Sequence, residues 1–234
     1  MTNKTELNHY KKAEKILVAV DCIIFGFNKN RLKLLLFKRK VKPFKNKWSL
    51  IGSFVKKNES VDKAAVRVLE ENTGLKNVFL EELGCYGNKE RDSAERVISI
   101  AYFALIRIEE EEIRMLESFE AHWFDVDEIP KLILDHNDML KDALGKLRRK
   151  ARYQPIGFEL LSEKFTIPQL KLFYDAIYQK DLDRRNFRKR ILTMNVLNKL
   201  EEKDKSTSKK GAFLYKFDKK NYKRLEASGF NFEL

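Results

Sequence analysis

The chain has few cysteines and no long hydrophobic run. Cys22 and Cys85 are its two cysteines among 234 residues, and neither belongs to a CxxC motif. Two isolated cysteines support neither a disulfide framework nor a zinc site. No apolar run approaches the ~20 residues of a membrane span, and the N-terminus lacks the apolar segment of a signal peptide. We therefore expect a cytoplasmic protein with reduced thiols and no membrane contact.

Positive charge, in contrast, is abundant. Lys and Arg number 48 against 35 Asp and Glu, which gives a formal net charge of +13. Such an excess attracts polyanions, including nucleic acid, anionic membranes and phosphorylated ligands. The 43% hydrophobic and 12% aromatic residues are typical of a globular chain with one large or two modest domains. Residues 151–234 hold more of the charge excess than the longer segment before them.

The pattern of hydrophobic residues changes near residue 150. Before it, the sequence predicts strands at 16–27, 32–40, 47–55, 78–87, 96–106 and 122–130 and helices at 60–72 and 137–153. After it, the sequence predicts helices at 165–179 and 181–194, strands at 195–200 and 212–217, and a flexible polar loop between those strands. Thr166 is the expected N-cap of the first of these helices, and Asp181 or Asp183 that of the second. Helix, helix, strand, loop, strand is the outline of a winged helix-turn-helix.

Residues 52–75 lack two carboxylates that a metal-binding helix would need. Six residues match the spacing of the Nudix box, which is Gly, five residues, Glu, seven residues, then Arg-Glu-aliphatic-any-Glu-Glu-any-Gly-aliphatic: Glu59, Arg67, Leu69, Glu71, Gly74 and Leu75. Val68 and Asn72 stand where that family places two glutamates, and Ser53 replaces its first glycine. The segment thus resembles a degenerate Nudix box.

These losses matter because Nudix enzymes hold Mg²⁺ or Mn²⁺ against a diphosphate. Hard cations need several carboxylate oxygens that converge from one helix face. With Val68 and Asn72 in place, we expect no bound metal, no other cofactor and no catalytic residue, so that the domain binds a ligand without hydrolysing it. In the alternative interpretation, Glu59, Glu70 and Glu71 hold an ion weakly and residual hydrolysis persists.

The segment RRNFRKR (184–190) places five cations and an asparagine on one helix. Phe187, Ile191 and Met194 lie four and three residues apart, so they can face the core while the cations point outward. Arginine can bind guanine bidentately in the major groove, and asparagine can bind adenine. The candidate DNA-binding residues, including three lysines of the hairpin loop that would reach phosphates, are Arg184, Arg185, Asn186, Arg188, Lys189, Lys205, Lys209 and Lys210. A solvated basic face is the alternative.

Jointly, the degenerate box and the basic winged helix resemble the Nudix-related transcriptional regulators. These include ADP-ribose-responsive repressors of NAD biosynthesis and arabinose-responsive regulators of Bacteroidetes. The stretches that look close to the sugar-responsive branch are VDCIIFGF (20–27), WSLIGSFV (48–55), RVLEENTGL (67–75), RDSAERVISIAYFAL (91–105), PIGFELL (155–161) and RRNFRKR (184–190).

The resemblance implies an α+β protein. An N-terminal Nudix-like α/β/α sandwich (1–150) would sense a small-molecule effector, and a C-terminal winged helix-turn-helix (151–234) would bind double-stranded operator DNA as a homodimer. We expect a repressor of pentose utilisation genes that responds to L-arabinose. The alternatives are an ADP-ribose-responsive regulator of NAD metabolism, an active Nudix pyrophosphohydrolase, and a dimerisation module with an incidental basic tail.

Effector contacts are expected from charged groups beside an aromatic wall. The candidate ligand-binding residues, from the Nudix box, the loop at 88–96 and one strand, are Glu59, Arg67, Glu71, Arg91, Asp92, Glu95, Arg96 and Trp48. The alternatives are a structural ion pair for Arg67 and Glu71, a solvated hairpin for the loop, and core packing for Trp48. The helix at 137–153 joins the two domains and is the candidate element for transmitting the effector signal.

Overall fold

Seven strands form one mixed sheet in the computed structural model, which describes residues 10–206, 210–230 and 232–233. They are β1 (Leu17–Asn28), β2 (Arg31–Lys38), β3 (Trp48–Ser49), β4 (Ile51–Phe54), β5 (Glu81–Tyr86), β6 (Val97–Arg107) and β7 (Ala121–Asp125). The apolar β1 lies in the middle, antiparallel to β2 and β4 and parallel to β6. Buried residues of β1 alternate between the two faces, so each face has its own core cluster.

Three helices accompany this sheet: α1 (Val61–Thr73), α2 (Glu110–Ser118) and α3 (His136–Tyr153). α1 begins where the Ser60 hydroxyl accepts a hydrogen bond from the Lys63 amide, and it ends at Gly74 in the left-handed conformation. Its buried face packs on one side of β1, and the buried residues of α3 belong to the core cluster on the other side. The expected α/β/α sandwich is therefore confirmed.

The C-terminal part consists of β8 (Phe165–Thr166), α4 (Ile167–Tyr178), α5 (Arg184–Thr193), β9 (Leu197–Asp204), β10 (Ala212–Phe217) and α6 (Lys219–Ala227). The strands pair in the order β8-β10-β9. Thr166 caps α4 in a reciprocal capping box with Gln169, and Asp183 caps α5. The winged helix-turn-helix that the sequence predicts is confirmed. Of the described helices, none is long and apolar enough to cross a bilayer.

The structure differs from the sequence-based expectation in several elements: residues 165–166 form β8 instead of the start of a helix, and the strand expected at 47–55 is divided into β3 and β4. β9 continues to Asp204, into the segment that we expected to be a flexible loop. The ammonium groups of Lys199 and Lys203 lie 3.8 and 4.5 Å from the centre of the Phe213 ring, so this charged strand has an aromatic surface to pack on. Helices α2 and α6 were not predicted from the sequence, because they are short and bury few side chains.

One core cluster runs from the sheet into the winged helix. Phe27 of β1 and Phe173 of α4 meet edge to face, with ring centroids 4.9 Å apart. Gly157 makes room for this contact: its φ is +86°, and a Cβ there would lie 2.0 Å from Cζ of Phe173. The two parts thus share buried apolar surface, and the turn after α3 determines how closely they approach.

We predict that Gly157→Ala lowers the free energy of unfolding by about 2–3 kcal/mol, because it combines a strained φ with overpacking against Phe173. Gly145→Ala is the matched control. Gly145 lies on the exposed face of α3 with no atom within 4 Å of an added Cβ, so this change should stabilise the protein by about 0.5–1 kcal/mol. Urea unfolding of both variants tests this, and equal stabilities would contradict it.

Candidate effector cavity and nucleic-acid interface

The three charged Nudix-box residues contact one another. Arg67 donates to Glu59 from Nε at 2.8 Å and from Nη2 at 2.6 Å, and to Glu71 from Nη1 at 2.8 Å. Its Nη2 also donates to the Phe54 carbonyl at 3.0 Å, which fixes α1 to the end of β4. The hydrogen bonds from Arg67 lower the pKa of Glu59 to about 2. These contacts match the structural ion pair that the sequence left as an alternative to ligand binding.

The ion pair between Arg67 and Glu59 should make the stability of the fold sensitive to acid. The folded-state pKa of Glu59 lies below its ordinary value of 4.5, so the ionised pair stabilises the fold above about pH 4.5 and this contribution is lost as the pH falls towards 2. Glu59→Gln should therefore flatten the decline of the melting temperature between pH 4.5 and 2. Glu117→Gln, on the exposed face of α2, should leave it unchanged, and identical pH profiles for the wild type and Glu59→Gln would refute the assignment.

Two of the positions at which the Nudix box places a metal-binding glutamate, Val68 and Asn72, carry no carboxylate. Val68 is fully buried in the core and carries no ligand atom. The Asn72 amide nitrogen donates to the Val68 carbonyl at 2.7 Å, so this side chain is already engaged with its own helix. Among the described residues, no three His, Cys, Asp or Glu side chains form a group that could hold a metal ion.

A cavity of about 280 Å³ lies at the C-terminal end of α1. Two aromatic rings, two cations of the β2–β3 loop, the β4 backbone and the last turn of α1 line it: Phe37, Arg39, Lys40, Val41, Gly52, Ser53, Glu71, Asn72 and Phe119. Of the predicted ligand-binding residues, Glu71 lines it. Arg39 and Lys40 were not among the predicted residues, although the basic run KRKVKPFKNK (38–47) at the end of β2 is a visible signal.

The predicted residue Arg91 lies in a buried network instead. It donates to both Asp135 carboxylate oxygens at 2.9 Å and approaches Asp21 at 3.4 Å. Ser99 donates to the same Asp21 oxygen at 2.6 Å, and the Nδ1 of His136 accepts from the Leu50 amide at 3.1 Å. Burial lowers the pKa of His136, which favours the neutral ring. The network joins β1 and the loop at 88–96 to the start of α3.

The other candidates lie outside the cavity. Asp92 accepts from the Ala94 amide, Arg96 donates to the carbonyls of the loop that it belongs to, and Glu95 is exposed. Trp48 packs edge to face on Phe124, with ring centroids 4.7 Å apart. A role of these residues in effector binding stays a prediction.

α5 presents the basic face that the sequence predicts. Phe187, Ile191 and Met194 are at most 9% exposed. The exposed residues of the helix include Arg184, Arg185, Asn186, Arg188 and Lys189. Within the described ranges, the lysines of this domain that form ion pairs lie elsewhere, such as Lys164 with Glu202. Lys205 and Lys210 are exposed at the wing, and Lys209 lies outside the described residues.

Two family models match the chain: the NUDIX domain over residues 15–143 and the NrtR DNA-binding winged helix domain over residues 157–217. A Nudix domain followed by this winged helix defines a Nudix-related transcriptional regulator. The chain is 31% identical over 222 residues to the "ADPR responsive transcriptional repressor NtrR" of Acinetobacter baylyi, covering 92% of this chain and 88% of that protein. The chain therefore belongs to the NrtR family of Nudix-related regulators.

Solved structures agree with this family. The Shewanella oneidensis NrtR complexed with a 27mer DNA has a TM-score of 0.71 and 25% identity, covering 92% of this chain and 97% of that one. The NUDIX domain of the same protein complexed with ADP ribose has a TM-score of 0.53 and 27% identity, covering 63% and 99%. The ADP-ribose pyrophosphatase of Methanocaldococcus jannaschii is 40% identical over 141 residues, covering 60% of this chain and 80% of that protein.

The expectation of an L-arabinose sensor is not supported. Two of the relatives above are named for ADP-ribose, the NUDIX domain of Shewanella oneidensis NrtR was crystallised with it, and none of these three is described as binding a pentose. The ADP-ribose reading, which the sequence left as an alternative, fits them better. The segments that resemble the sugar-responsive branch include β4 and the second half of α1, which belong to the Nudix scaffold.

Proposed function

We propose that this protein is a transcriptional repressor that binds operator DNA through its winged helix and senses ADP-ribose through its Nudix domain. One observation carries the proposal: a Nudix cavity and a basic recognition helix lie in a single chain that aligns over 92% of its length with an ADPR-responsive repressor. ADP-ribose is what remains of NAD once nicotinamide is lost, so the regulated genes are expected to serve NAD metabolism. The sensing domain would comprise residues 1–150 and the DNA-binding domain residues 151–234.

DNA recognition is assigned to α5. Its N-terminal half would enter the major groove, where Arg184, Arg185 and Arg188 contact guanines or phosphates and Asn186 contacts adenine. Lys189 and the wing lysines Lys205, Lys209 and Lys210 would contact phosphates. We propose a homodimer that places two α5 helices about 34 Å apart, one turn of DNA, on a palindromic operator.

Coupling between the two sites is assigned to α3. Lys146 and Lys150 of this helix form ion pairs with Glu81 of β5, and Arg148 donates to the Ile177 carbonyl of α4 at 3.2 Å. At its other end, Asp135 and His136 belong to the buried network beside β1, which pairs with the cavity strand β4. A shift at the cavity would thus tilt α3 against α4. A coupling free energy of ~1–3 kcal/mol changes DNA affinity about 5–150-fold.

Hydrolysis of ADP-ribose is the second candidate, and the 40% identity to a pyrophosphatase favours it. Against it, Val68 and Asn72 supply no carboxylate at two metal positions. We therefore propose binding without turnover. Incubation of the purified protein with ADP-ribose and Mg²⁺ tests this, because metal-dependent release of AMP would establish the enzyme activity.

A thermal-shift comparison tests the effector assignment. ADP-ribose at 100 times its dissociation constant should stabilise the protein by about 2.7 kcal/mol, whereas L-arabinose should have no effect. A shift with L-arabinose alone would overturn the proposal. In a separate titration, the protein without effector should bind promoter DNA with an affinity that falls as the salt concentration rises.

A further inference from the structure

The proposed effector brings a diphosphate to a place that is electrostatically unfavourable for it. The cavity lies at the C-terminal end of α1, where the last backbone carbonyls carry partial negative charge. Glu71 adds a carboxylate to its wall. A diphosphate bound here needs positive charge close by, and Val68 and Asn72 offer a metal too few oxygen ligands to supply it.

Two protein cations also belong to the cavity wall. Arg39 and Lys40 belong to the loop between β2 and β3, and both line the cavity. Arg39 uses Nε to donate to the Pro43 carbonyl at 2.8 Å, which orients the guanidinium and leaves its Nη groups for a ligand. The Arg39 backbone exchanges hydrogen bonds with Lys47 and Asn46, so the base of the loop is held in place.

The remaining charges leave these cations uncompensated. Lys40 is 3.7 Å from Glu120, and both side chains are more than half exposed, so this pair is weak. Glu71 is paired from outside the cavity with Arg67 at 2.8 Å, whereas its contact with Lys56 at 3.6 Å is as exposed and as weak as that of Lys40 with Glu120, so two cations face one partly paired carboxylate. The cavity wall therefore carries a net positive charge.

We infer that the protein binds the diphosphate of its nucleotide effector without a divalent metal, and that Arg39 and Lys40 supply the positive charge. The inference rests on the proposed function, since it assumes that ADP-ribose occupies this cavity. A guanidinium can bind two phosphate oxygens at once, and an ammonium adds a point charge. The half-buried rings of Phe37 and Phe119 provide apolar walls for the sugar or base.

Calorimetric titration of the full-length protein with ADP-ribose tests this, in EDTA and in Mg²⁺. The wild-type dissociation constant should be the same in both buffers. Arg39→Ala and Lys40→Ala should each weaken binding about 10-fold or more, because hydrogen bonds to charged groups are lost. Lys45→Ala, from the same loop but not lining the cavity, is the matched control and should bind as the wild type does. Melting temperatures of the unliganded variants verify folding.

The variant Asn72→Glu distinguishes metal-free binding of the diphosphate from metal-dependent binding. The added carboxylate should repel the diphosphate and weaken binding in both buffers, whereas in a metal-dependent site it would strengthen binding in Mg²⁺. Wild-type binding that disappears in EDTA, or unchanged affinity of both Arg39→Ala and Lys40→Ala, would overturn the inference and leave the proposed function intact. Absence of ADP-ribose binding in both buffers would refute the proposed function and the inference with it.

Discussion

Replacing Arg184 and Arg188 together by alanine is expected to weaken operator binding by at least about 30-fold. Both side chains are exposed on α5, beside the buried Phe187 and Ile191 that hold the helix against the core. A specific arginine contact to DNA contributes about 1–3 kcal/mol, and two such contacts are lost. Because neither side chain belongs to the core, the melting temperature should change little. Fluorescence anisotropy with labelled promoter DNA measures the affinity.

The matched control removes two exposed cations of the N-terminal Nudix domain. Lys57→Ala with Lys131→Ala lowers the net charge by the same amount and should reduce operator affinity only slightly. Anisotropy at several salt concentrations adds a second test, because each lost phosphate contact lowers the salt slope by about 1. If the two double variants lose the same amount of operator affinity, the net positive charge of the protein attracts DNA and α5 has no special role.

Arg91→Ala is expected to lower the free energy of unfolding by about 3–5 kcal/mol. The Arg91 side chain is 3% exposed and lies between Asp21 and Asp135, whose side chains are 8% and 19% exposed. Removal of the arginine leaves two carboxylates close together with little access to water. Chemical denaturation at neutral pH measures the loss.

Arg96→Ala is the natural comparison for this variant. Arg96 belongs to the same loop but donates to backbone carbonyls, so its loss should cost about 1 kcal/mol. Arg91→Lys should recover part of the stability, because it keeps the charge but not the two parallel hydrogen bonds to Asp135. A stability of Arg91→Ala equal to that of Arg96→Ala would refute the structural role of the buried network.

Local signals in the sequence predicted much of the fold. The apolar run of β1 and the N-caps Thr166 and Asp183 each act within a few residues, so the strand and the helices that they define are found where expected. The spacing of Phe187, Ile191 and Met194 likewise predicted which face of α5 is exposed. The helix caps depend on local backbone geometry, and the orientation of α5 depends only on which of its faces is apolar.

The cavity and the network depend on tertiary pairing that the sequence does not show. Arg39 and Asn72 line the same cavity because β2 and β4 pair with successive segments of one edge of β1, and Phe119 reaches it from the turn after α2. Arg91 looked like a loop residue open to ligand because its partners Asp21 and Asp135 are 70 and 44 residues away. The charged residues of the loop at 88–96 therefore suggested a ligand site, but their sequence alone could not show whether they line an open pocket or form a buried ion pair.

The central claim is that one chain couples ADP-ribose binding to operator binding, and reciprocity tests it most directly. The dissociation constant for operator DNA is measured with and without saturating ADP-ribose, and that for ADP-ribose with and without saturating operator. Linkage requires both ratios to be the same factor, expected at about 5–150. L-Arabinose should change neither constant. Ratios of one in both directions, with both ligands bound, would contradict the account.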